Sequence, residues 1–462
     1  MKVLLIYPKS KIWNMPTQRP LGLGYLAAVL EKAGHEVKIF DCMVEEGSAV
    51  DYCSNFSPEL VGISANTPLI KSAWEIASEI KKKGNSFIVL GGPHPTALPE
   101  ESLKLPYIDA VVRGEGEETV LELVEALAEK KGLADISGLS FKEGDSLIHN
   151  PARPLNNNLD TLPWPAYHLY QSDKYSVTQP LRDRPFGKAK AFYLMTSRGC
   201  PYACSFCFKG IYGLSWRPRT PENVVAEWDF LVNKLGATEI GVQDDLFNFD
   251  KKRALRICDL LVEKNLSHVP WITNNGIRVN FVDEELLAAM KKAGCKRVAF
   301  GVESGDQRIL DHIHKKITLE MVRKAFTAAK KVGLETMGFF MFGNLGENEG
   351  TMEKTIQFAL ELDPLVSHFS VATPFPGTEF FQKVEKEGKF LTRNWDDYGL
   401  LEGRAVFERG EIKAPLLERK WHEAYRRFYL RSRRIFREIF KLSNWLNLPR
   451  LLKAGFQYFF GS

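Results

Sequence analysis

Two successive series of short apolar segments, each followed by an amphipathic helical pattern, constrain the fold of this 462-residue chain more than any other feature. Many of the segments are rich in β-branched residues, as buried strands usually are. Strands that alternate with helices form parallel sheets, because a parallel neighbour requires a crossover connection. The chain is also too long for one ordinary domain. We therefore predict an α/β protein of two domains with an appendage.

The first series, over residues 1–132, predicts a doubly wound, Rossmann-like domain. One of its helices carries apolar residues at i, i+3, i+4 and i+7 over Leu23–Leu30, and Gly34 is placed to cap it. Neither a G-x-G-x-x-G after the first strand nor a G-x-x-x-x-G-K-[ST] is present, so the usual dinucleotide and triphosphate fingerprints are missing. The predicted strands are Val3–Tyr7, Val37–Phe40, Leu60–Ser64, Phe87–Leu90 and Ala110–Val112.

The second series, over residues 186–405, predicts six strand–helix units, which suit an open (β/α)6 partial TIM barrel. Residues 133–185 are predicted to be a connector because they are rich in asparagine and proline, and residues 406–462 a basic, aromatic, helical C-terminal extension. The predicted strands are Phe192–Thr196, Glu239–Val242, Trp271–Thr273, Arg297–Gly301, Thr336–Phe342 and His368–Ala372.

Three cysteines, Cys200, Cys204 and Cys207, follow the first strand of the second series. A C-x3-C-x2-C triad supplies one thiolate fewer than a [4Fe–4S] cluster needs and would leave one iron open. Structural zinc usually takes four ligands, and no second cysteine pair is present, so the spacing favours the cluster. The other cysteines are scattered singly: Cys42, Cys53, Cys258 and Cys295. The last two fall in helical patterns, where core packing is the better interpretation.

With Phe206 just before its last cysteine, the triad resembles the signature of the radical S-adenosylmethionine (SAM) superfamily. The resemblance implies that SAM chelates the open iron and that the reduced cluster cleaves it to a 5′-deoxyadenosyl radical. It also implies that Phe206 contacts SAM, that Asp244 binds the SAM ammonium, and that Glu303 and Ser304 lie at the ribose hydroxyls. A helix N-cap is the alternative role for Asp244. Arg278 either pairs with the cofactor carboxylate or lies on the surface.

The turns that follow the first-series strands resemble the cobalamin-binding domain found in one branch of that superfamily. They are Ser64–Thr67, Gly91–Pro95 and Gly114–Glu118, although any one of them alone would be read as an ordinary tight turn. Glycine in such turns lets a bulky ligand approach the backbone. The resemblance implies cobalamin contacts from Ser64, Thr67, Gly91, Gly92, Gly114 and Glu115.

Many cobalamin domains carry a D-x-H-x-x-G motif after the first strand, whose histidine ligates cobalt. Here the corresponding loop, Lys9–Pro20, contains no histidine and no aspartate. Any bound cobalamin is therefore predicted to lack that ligand. We predict that His94 is a turn residue rather than a cobalt ligand.

The resemblance implies a cobalamin-dependent radical SAM enzyme, with methylation of an unactivated carbon of a small-molecule or lipid substrate as the predicted reaction. An electron donor such as flavodoxin or ferredoxin is implied as well. A non-methylating cyclase or rearrangement enzyme of the same architecture is the first alternative, and a non-catalytic cobalamin or redox sensor is the second. A methylthiotransferase is disfavoured because Cys42 and Cys53 do not form a cluster triad.

The composition predicts a cytoplasmic protein, since no apolar run reaches the ~18 residues of a membrane span and no signal peptide is recognisable. Residues 411–462 carry twelve Lys or Arg against four Asp or Glu, interleaved with large aromatics. Such a helix can lie on an anionic bilayer, which would make the protein peripheral at the inner membrane surface. Alternatively, it packs across the barrel. No nucleic-acid recognition fold accompanies the basic residues, so no nucleic-acid partner is expected.

Overall fold

The computed structural model describes residues 1–10, 12, 18–171, 175, 190–399, 403–432 and 434. The strands of this part of the chain are β1 (Lys2–Tyr7), β2 (Glu36–Asp41), β3 (Leu60–Ser64), β4 (Phe87–Gly91), β5 (Ala110–Val112), β6 (Leu139–Glu143), β7 (Ser146–His149), β8 (Ala191–Leu194), β9 (Ser197–Arg198), β10 (Arg217–Pro218), β11 (Glu239–Val242), β12 (Trp271–Thr273), β13 (Cys295–Glu303), β14 (Glu335–Phe342), β15 (Val366–Val371), β16 (Lys389–Phe390) and β17 (Phe407–Glu408).

The α-helices of the same residues are α1 (Leu21–Lys32), α2 (Ala49–Phe56), α3 (Ile70–Lys83), α4 (Pro93–Ala97), α5 (Pro99–Leu103), α6 (Glu117–Glu129), α7 (Pro221–Asp229), α8 (Lys251–Glu263), α9 (Glu284–Lys292), α10 (Gln307–His312), α11 (Leu319–Val332), α12 (Glu349–Leu362), α13 (Glu379–Glu387) and α14 (Ala414–Tyr429). A π-helical turn at Phe230–Lys234 continues α7. Short 3-10 turns lie at Thr67–Leu69, Leu159–Thr161, Tyr167–Leu169, Val279–Phe281 and Trp395–Asp397.

The first sheet has the strand order β2-β1-β3-β4-β5-β6-β7, and its first five strands are parallel. Separate apolar clusters cover its two faces, as a doubly wound sheet requires. All five predicted strands are present, and helix α1 ends before Gly34, which has φ +86°. Chain order reverses between β1 and β3, so the crevice outside their carboxyl ends is the expected ligand position.

Strands β6 and β7 form an antiparallel hairpin that extends this sheet. Phe141 pairs with Ala110 of β5, and Gly144 turns the hairpin with φ +61°. The hairpin lies in the stretch 133–185 that the sequence predicts to be a connector, so the sheet continues past residue 132. The short segments were not recognised because their partner, the edge of β5, is distant in sequence. The unit boundaries at 132, 185 and 405 stay predictions.

The second sheet contains six parallel strands in chain order from β8, through β11, β12, β13 and β14, to β15. A large apolar cluster joins its strands to the surrounding helices. The predicted partial barrel and its six strands are confirmed. Cys258 is buried in α8 as expected, whereas Cys295 begins strand β13 instead of lying in a helix. Both cysteines are nevertheless buried in the apolar core of the barrel.

Helix α14 packs along the last strand of the barrel. Its Trp421 Nε1 donates to the Phe369 carbonyl at 2.8 Å, and the Tyr429 hydroxyl donates to the Ser367 carbonyl at 2.8 Å. Tyr425 and Phe428 of the same helix are buried. The packing alternative is therefore correct for this part of the extension. Residues 435–462, on which the predicted membrane contact also rests, lie outside the described residues. None of the helices within the described ranges has the length and apolarity needed to span a membrane.

The two sheets share apolar contacts. Leu21 and Tyr25 of α1 belong to the barrel's apolar cluster, and Trp395 from the barrel side packs against the first domain. The Tyr167 hydroxyl bridges the Tyr193 carbonyl and Glu227 at 2.9 and 2.8 Å. Elements that flank the two sheets thus pack against each other.

Candidate active site

A cavity of about 290 Å³ lies at the carboxyl edge of the first sheet. The barrel closes it with Arg198, Ile211 and Tyr212. Five of the six residues predicted to contact cobalamin line it: Ser64, Gly91, Gly92, Gly114 and Glu115. The structure therefore brings together residues from three separate turns, while their roles toward cobalamin stay a prediction.

Two glycines shape this cavity. Gly92 has φ +100°, and a Cβ there would lie 2.8 Å from the Ala65 carbonyl oxygen. Gly114 has φ +77°, and its missing Cβ would point toward the Gly210 and Ile211 carbonyls, each 3.9 Å away. A side chain at either position would strain its turn, because both residues have a positive φ. Glycine at both positions lets a bulky ligand approach the backbone of the cavity wall, so the residues present fit the corrin ring of cobalamin.

Thr67 is the sixth predicted contact, and it does not line this cavity. Its hydroxyl lies 3.2 Å from His94 Nδ1, and His94 Nε2 lies 2.9 Å from Glu101 Oε2. His94 is 1 % exposed and packs edge-on against Trp395. Both ring nitrogens are therefore engaged inside the protein, which supports the turn interpretation of His94 and explains why Thr67 faces away from the cavity.

Glu115 connects the two units as well as lining the cavity. Its carboxylate accepts from Arg198 Nη1 at 2.7 Å and from Arg217 Nη1 at 2.8 Å, and Glu117 accepts from Arg198 Nη2 at 2.6 Å. Burial lowers the pKa of Arg198, but the nearby charge of Glu117 raises it overall. Sequence analysis missed both arginines. In the sequence, only the position of these arginines beside the cysteine segment pointed to them, because their acidic partners lie some hundred residues away.

The three cysteines lie on the loop between β9 and β10, which pair with each other and close its ends. Gly199 begins the loop with φ +81°, and a Cβ there would overlap the Ser215 carbonyl. Within the described ranges no three potential ligands already surround a metal position. Three thiols on one eight-residue segment nevertheless form the donor set that iron–sulfur clusters use.

The surroundings of Cys204 favour its thiolate form. A hydrogen bond from Cys207, together with the charges of Lys315 and Arg278, lowers the pKa of Cys204 to about 6 against the effect of burial. The same hydrogen bond and burial raise the pKa of Cys207. Cationic neighbours lower the cost of gathering several negative sulfurs, so the residues present fit a cluster.

Lys315 is paired with Glu303, one of the predicted SAM contacts. Its Nζ lies 2.6 Å from Glu303 Oε1 and 5.8 Å from the centre of the Phe206 ring. Burial lowers the pKa of Lys315, while Glu303 and the thiols raise it overall. Glu303 also has φ +65°, a conformation that non-glycine residues rarely adopt and that often marks a functional site. Glu303 and Lys315 thus lie beside the cysteine loop, next to its Phe206.

Arg278 is 9 % exposed and stacks on Tyr202, with 3.5 Å between its guanidinium carbon and the ring centre. The surface alternative for Arg278 is therefore wrong. Its guanidinium also donates to the Lys315 carbonyl. Pairing with the cofactor carboxylate stays a prediction.

Asp244 and Ser304 are engaged inside the protein. Asp244 accepts from the Thr196 backbone N–H at 2.6 Å and from the Ser197 hydroxyl at 2.6 Å, which ties β11 to the end of β8. It caps no helix, so the N-cap alternative does not apply. The Ser304 hydroxyl accepts from the Asp306 N–H at 3.2 Å and lies 3.3 Å from Thr355 Oγ1. Ser304 is wholly buried, which leaves its hydroxyl no free direction toward a cofactor.

Two family models match the chain. The Radical SAM superfamily matches residues 194–359, and the B12 binding domain matches residues 17–124. The first range contains the cysteine loop and most barrel strands, and the second contains the glycine turns of the cavity. Each match thus falls on the unit where the corresponding residues were predicted.

Known proteins match over nearly the full length. An uncharacterized methyltransferase, PH0819, of Pyrococcus horikoshii is 38% identical over 451 residues, covering 96% of this chain and 95% of the relative. The anaerobic magnesium-protoporphyrin IX monomethyl ester cyclase of Rubrivivax gelatinosus is 31% identical over 448 residues, covering 93% and 78%.

Among solved structures, the radical SAM methyltransferase TsrM from Kitasatospora setae, with cobalamin and a [4Fe–4S] cluster bound, has a TM-score of 0.68. At 23% identity it covers 83% of this chain and 78% of its own. It shares the two-unit fold described above.

Proposed function

The chain belongs to the radical SAM enzymes that carry an N-terminal B12-binding domain, and on that premise we propose that it is a cobalamin-dependent C-methyltransferase. Its substrate would be a small molecule or lipid with an unactivated carbon. SAM would serve both as methyl source and as radical source. The near full-length relative named as a methyltransferase supports this assignment over other reactions of the family.

One observation carries the proposal: the cavity at the edge of the first sheet and the cysteine loop share a wall. Arg198, Ile211 and Tyr212, which close the cavity, flank the three cysteines in sequence. When bound, cobalamin would supply the methyl group and the cluster with SAM the radical. A shared wall brings both to one substrate, which is what a combined radical and methyl-transfer reaction requires.

The chain's own residues would hold and orient these groups. The thiolates of Cys200, Cys204 and Cys207 would hold the cluster, with Lys315 and Arg278 lowering the cost of the negative charge. In a site of this kind the protein positions and shields the reactive groups, and the cofactors carry the chemistry.

The test uses protein reconstituted anaerobically with iron, sulfide and hydroxocobalamin, then reduced in the presence of SAM labelled in its methyl group. A metabolite extract from cells lacking the protein supplies the substrate. We expect 5′-deoxyadenosine, S-adenosylhomocysteine and a labelled product to form together. Formation of 5′-deoxyadenosine without either of the other two would contradict methyl transfer.

A cyclase is the second candidate, because a cyclase is among the relatives that match most of the chain. A cyclase would form 5′-deoxyadenosine and a product that contains no labelled methyl group. The experiment above therefore distinguishes the two reactions.

We further infer that the reducing electron comes from a small redox protein such as flavodoxin or ferredoxin. Peripheral attachment to an anionic membrane through residues 435–462 is a separate proposal, supported by four Lys or Arg, one Glu and several large aromatics in that segment.

A further inference from the structure

A second cavity, of about 190 Å³, lies between the two units. The first unit contributes residues that follow β3 and β4, and the barrel contributes residues of the cysteine loop and of the loop after β15. The lining consists of Asn66, Thr67, Pro68, Pro93, Phe206, Phe208, Phe375 and Pro376.

This cavity adjoins both predicted cofactor positions. Pro93 lines it and also lines the larger cavity at the edge of the first sheet. Phe206 and Phe208 flank Cys207 in sequence, so the opposite wall is the cysteine loop itself. A group bound here would lie next to both reacting centres.

The lining is apolar and uncharged. Among the described residues that form it, three are phenylalanines, three are prolines, and none is titratable. The Thr67 hydroxyl is already engaged with His94 at 3.2 Å. Asn66 contributes an uncharged amide, whose Oδ1 is buried without a hydrogen-bond partner. Because that oxygen has essentially no accessible surface, it adds no reachable acceptor to the cavity wall.

The wall at Phe208 is held in place by two glycines. A Cβ on Gly210 would overlap the Phe208 ring, and a Cβ on Gly377, which has φ +79°, would lie 2.5 Å from Phe208 Cε2. The ring therefore fits only because neither position carries a side chain. A rigid aromatic wall opposite two prolines suits a flat or chain-like hydrocarbon better than a solvated anion.

We propose that this cavity binds the reacting part of the substrate and that this part is an uncharged hydrocarbon or aromatic group. The assignment of the cavity to the substrate rests on the proposed function. The exclusion of charge rests on the lining alone, because none of the lining residues carries a charge that could pair with an ionised group.

The test is equilibrium dialysis of the protein reconstituted with cluster and cobalamin, and it requires no turnover. The probe is N-phenyl-1-naphthylamine, which is uncharged and aromatic. Its counterpart is 8-anilino-1-naphthalenesulfonate, which has the same rings and a negative charge. Asn66→Asp keeps the side-chain shape but adds a carboxylate, and Phe375→Glu adds one on the opposite wall. Phe249→Ser changes an aromatic that is 36% exposed and outside the cavity.

We expect one equivalent of the uncharged probe to bind to the wild type, and at least about tenfold weaker binding to both acidic variants, because each adds a charge to an apolar site. Phe249→Ser should bind like the wild type. Cobalamin content, measured on each variant, shows that the fold is intact. Equal binding by the wild type and both acidic variants, or displacement of the uncharged probe by the sulfonate at equal affinity, would overturn the proposal. Absence of labelled methyl transfer would contradict the proposed function instead and would leave this binding result valid.

Discussion

At the scale of single residues, the seven cysteines differ in position. Cys200, Cys204 and Cys207 share one loop beside Lys315, whereas Cys258 is buried in the apolar core of the barrel. Burial raises the pKa of Cys258 to about 12, which keeps it a neutral thiol. Cysteine is thus a predicted cluster ligand in the loop and a packing residue in the barrel core.

Cys204→Ala should abolish the broad visible absorbance of the cluster and the formation of 5′-deoxyadenosine, because one iron loses its protein ligand. Cys258→Ala is the matched control: it should cost about 1–2 kcal/mol of stability through a small cavity but keep the cluster. Iron content and absorbance after anaerobic reconstitution measure both. SAM cleavage by Cys204→Ala at the wild-type rate would disprove the cluster assignment.

The neighbouring residues Glu303 and Ser304 should respond differently to mutation. Glu303→Gln removes the charge that pairs with Lys315 and should weaken SAM binding about tenfold, since a charged hydrogen bond contributes about 1.5–3 kcal/mol. Ser304→Ala should leave SAM affinity unchanged and lower stability by about 1 kcal/mol, because its hydroxyl bonds only inside the protein. Calorimetric titration with SAM measures the affinities. Weaker SAM binding by Ser304→Ala together with unchanged binding by Glu303→Gln would contradict the roles assigned to these two residues.

At the scale of elements, the turn between β5 and α6 is joined to β9 and β10 by Glu115, Glu117, Arg198 and Arg217. All four side chains are almost fully buried. The network therefore couples the cavity at the edge of the first sheet to the strands that close the cysteine loop.

Glu115→Gln should lower the free energy of unfolding by about 3 kcal/mol, because it leaves two buried guanidinium groups without that carboxylate. It should also reduce the cobalamin retained through gel filtration. Arg323→Gln is the control, since the Arg323–Glu361 pair is exposed and should contribute less than about 1 kcal/mol. Urea denaturation compares the two. If Glu115→Gln lowered the free energy of unfolding no more than Arg323→Gln does, the network would not join the two units.

The turn after β14 contains a carboxyl group that should make stability depend on pH. Burial raises the pKa of Glu347 from its ordinary 4.5 to about 8, although the Gly343 and Asn344 backbone N–H groups act in the opposite direction. The folded state therefore binds the proton more tightly than the unfolded state does. The resulting stabilisation is complete below pH 4.5 and is lost as pH rises through 8.

Glu347→Gln should remove this dependence, so the stability of the wild type relative to the variant should fall between about pH 5 and 8. Urea midpoints measured across that range provide the test, with the exposed Glu361→Gln as control. Parallel curves for wild type and Glu347→Gln would show that Glu347 ionises normally.

At the scale of the whole molecule, α14 completes the barrel edge, so a membrane test must keep it. A variant ending at Arg434 retains the buried Trp421 and Phe428, whereas removal of α14 would expose the core. We expect the full chain to co-sediment with anionic liposomes in a salt-sensitive manner and the shortened variant to stay in the supernatant. Equal partitioning of both proteins would refute membrane attachment through residues 435–462.

The sequence alone determined the two-unit α/β architecture, the six-stranded barrel and the three cysteines. These features depend on periodicity and spacing within short windows, and such patterns report directly on burial and on ligand geometry. The glycine turns at Gly92 and Gly114 could be found for a related reason, since their backbone conformations favour one residue type.

Only the tertiary structure decided how polar side chains are paired. Sequence reasoning could not see that Thr67 holds His94, that Ser304 points inward, that Arg198 meets Glu115, or that a hairpin extends the first sheet. Each of these contacts joins residues that are distant along the chain, and the sequence near either partner carries no trace of the other. Spacing can therefore predict a ligand triad or a strand, whereas the direction of a side chain follows from the fold.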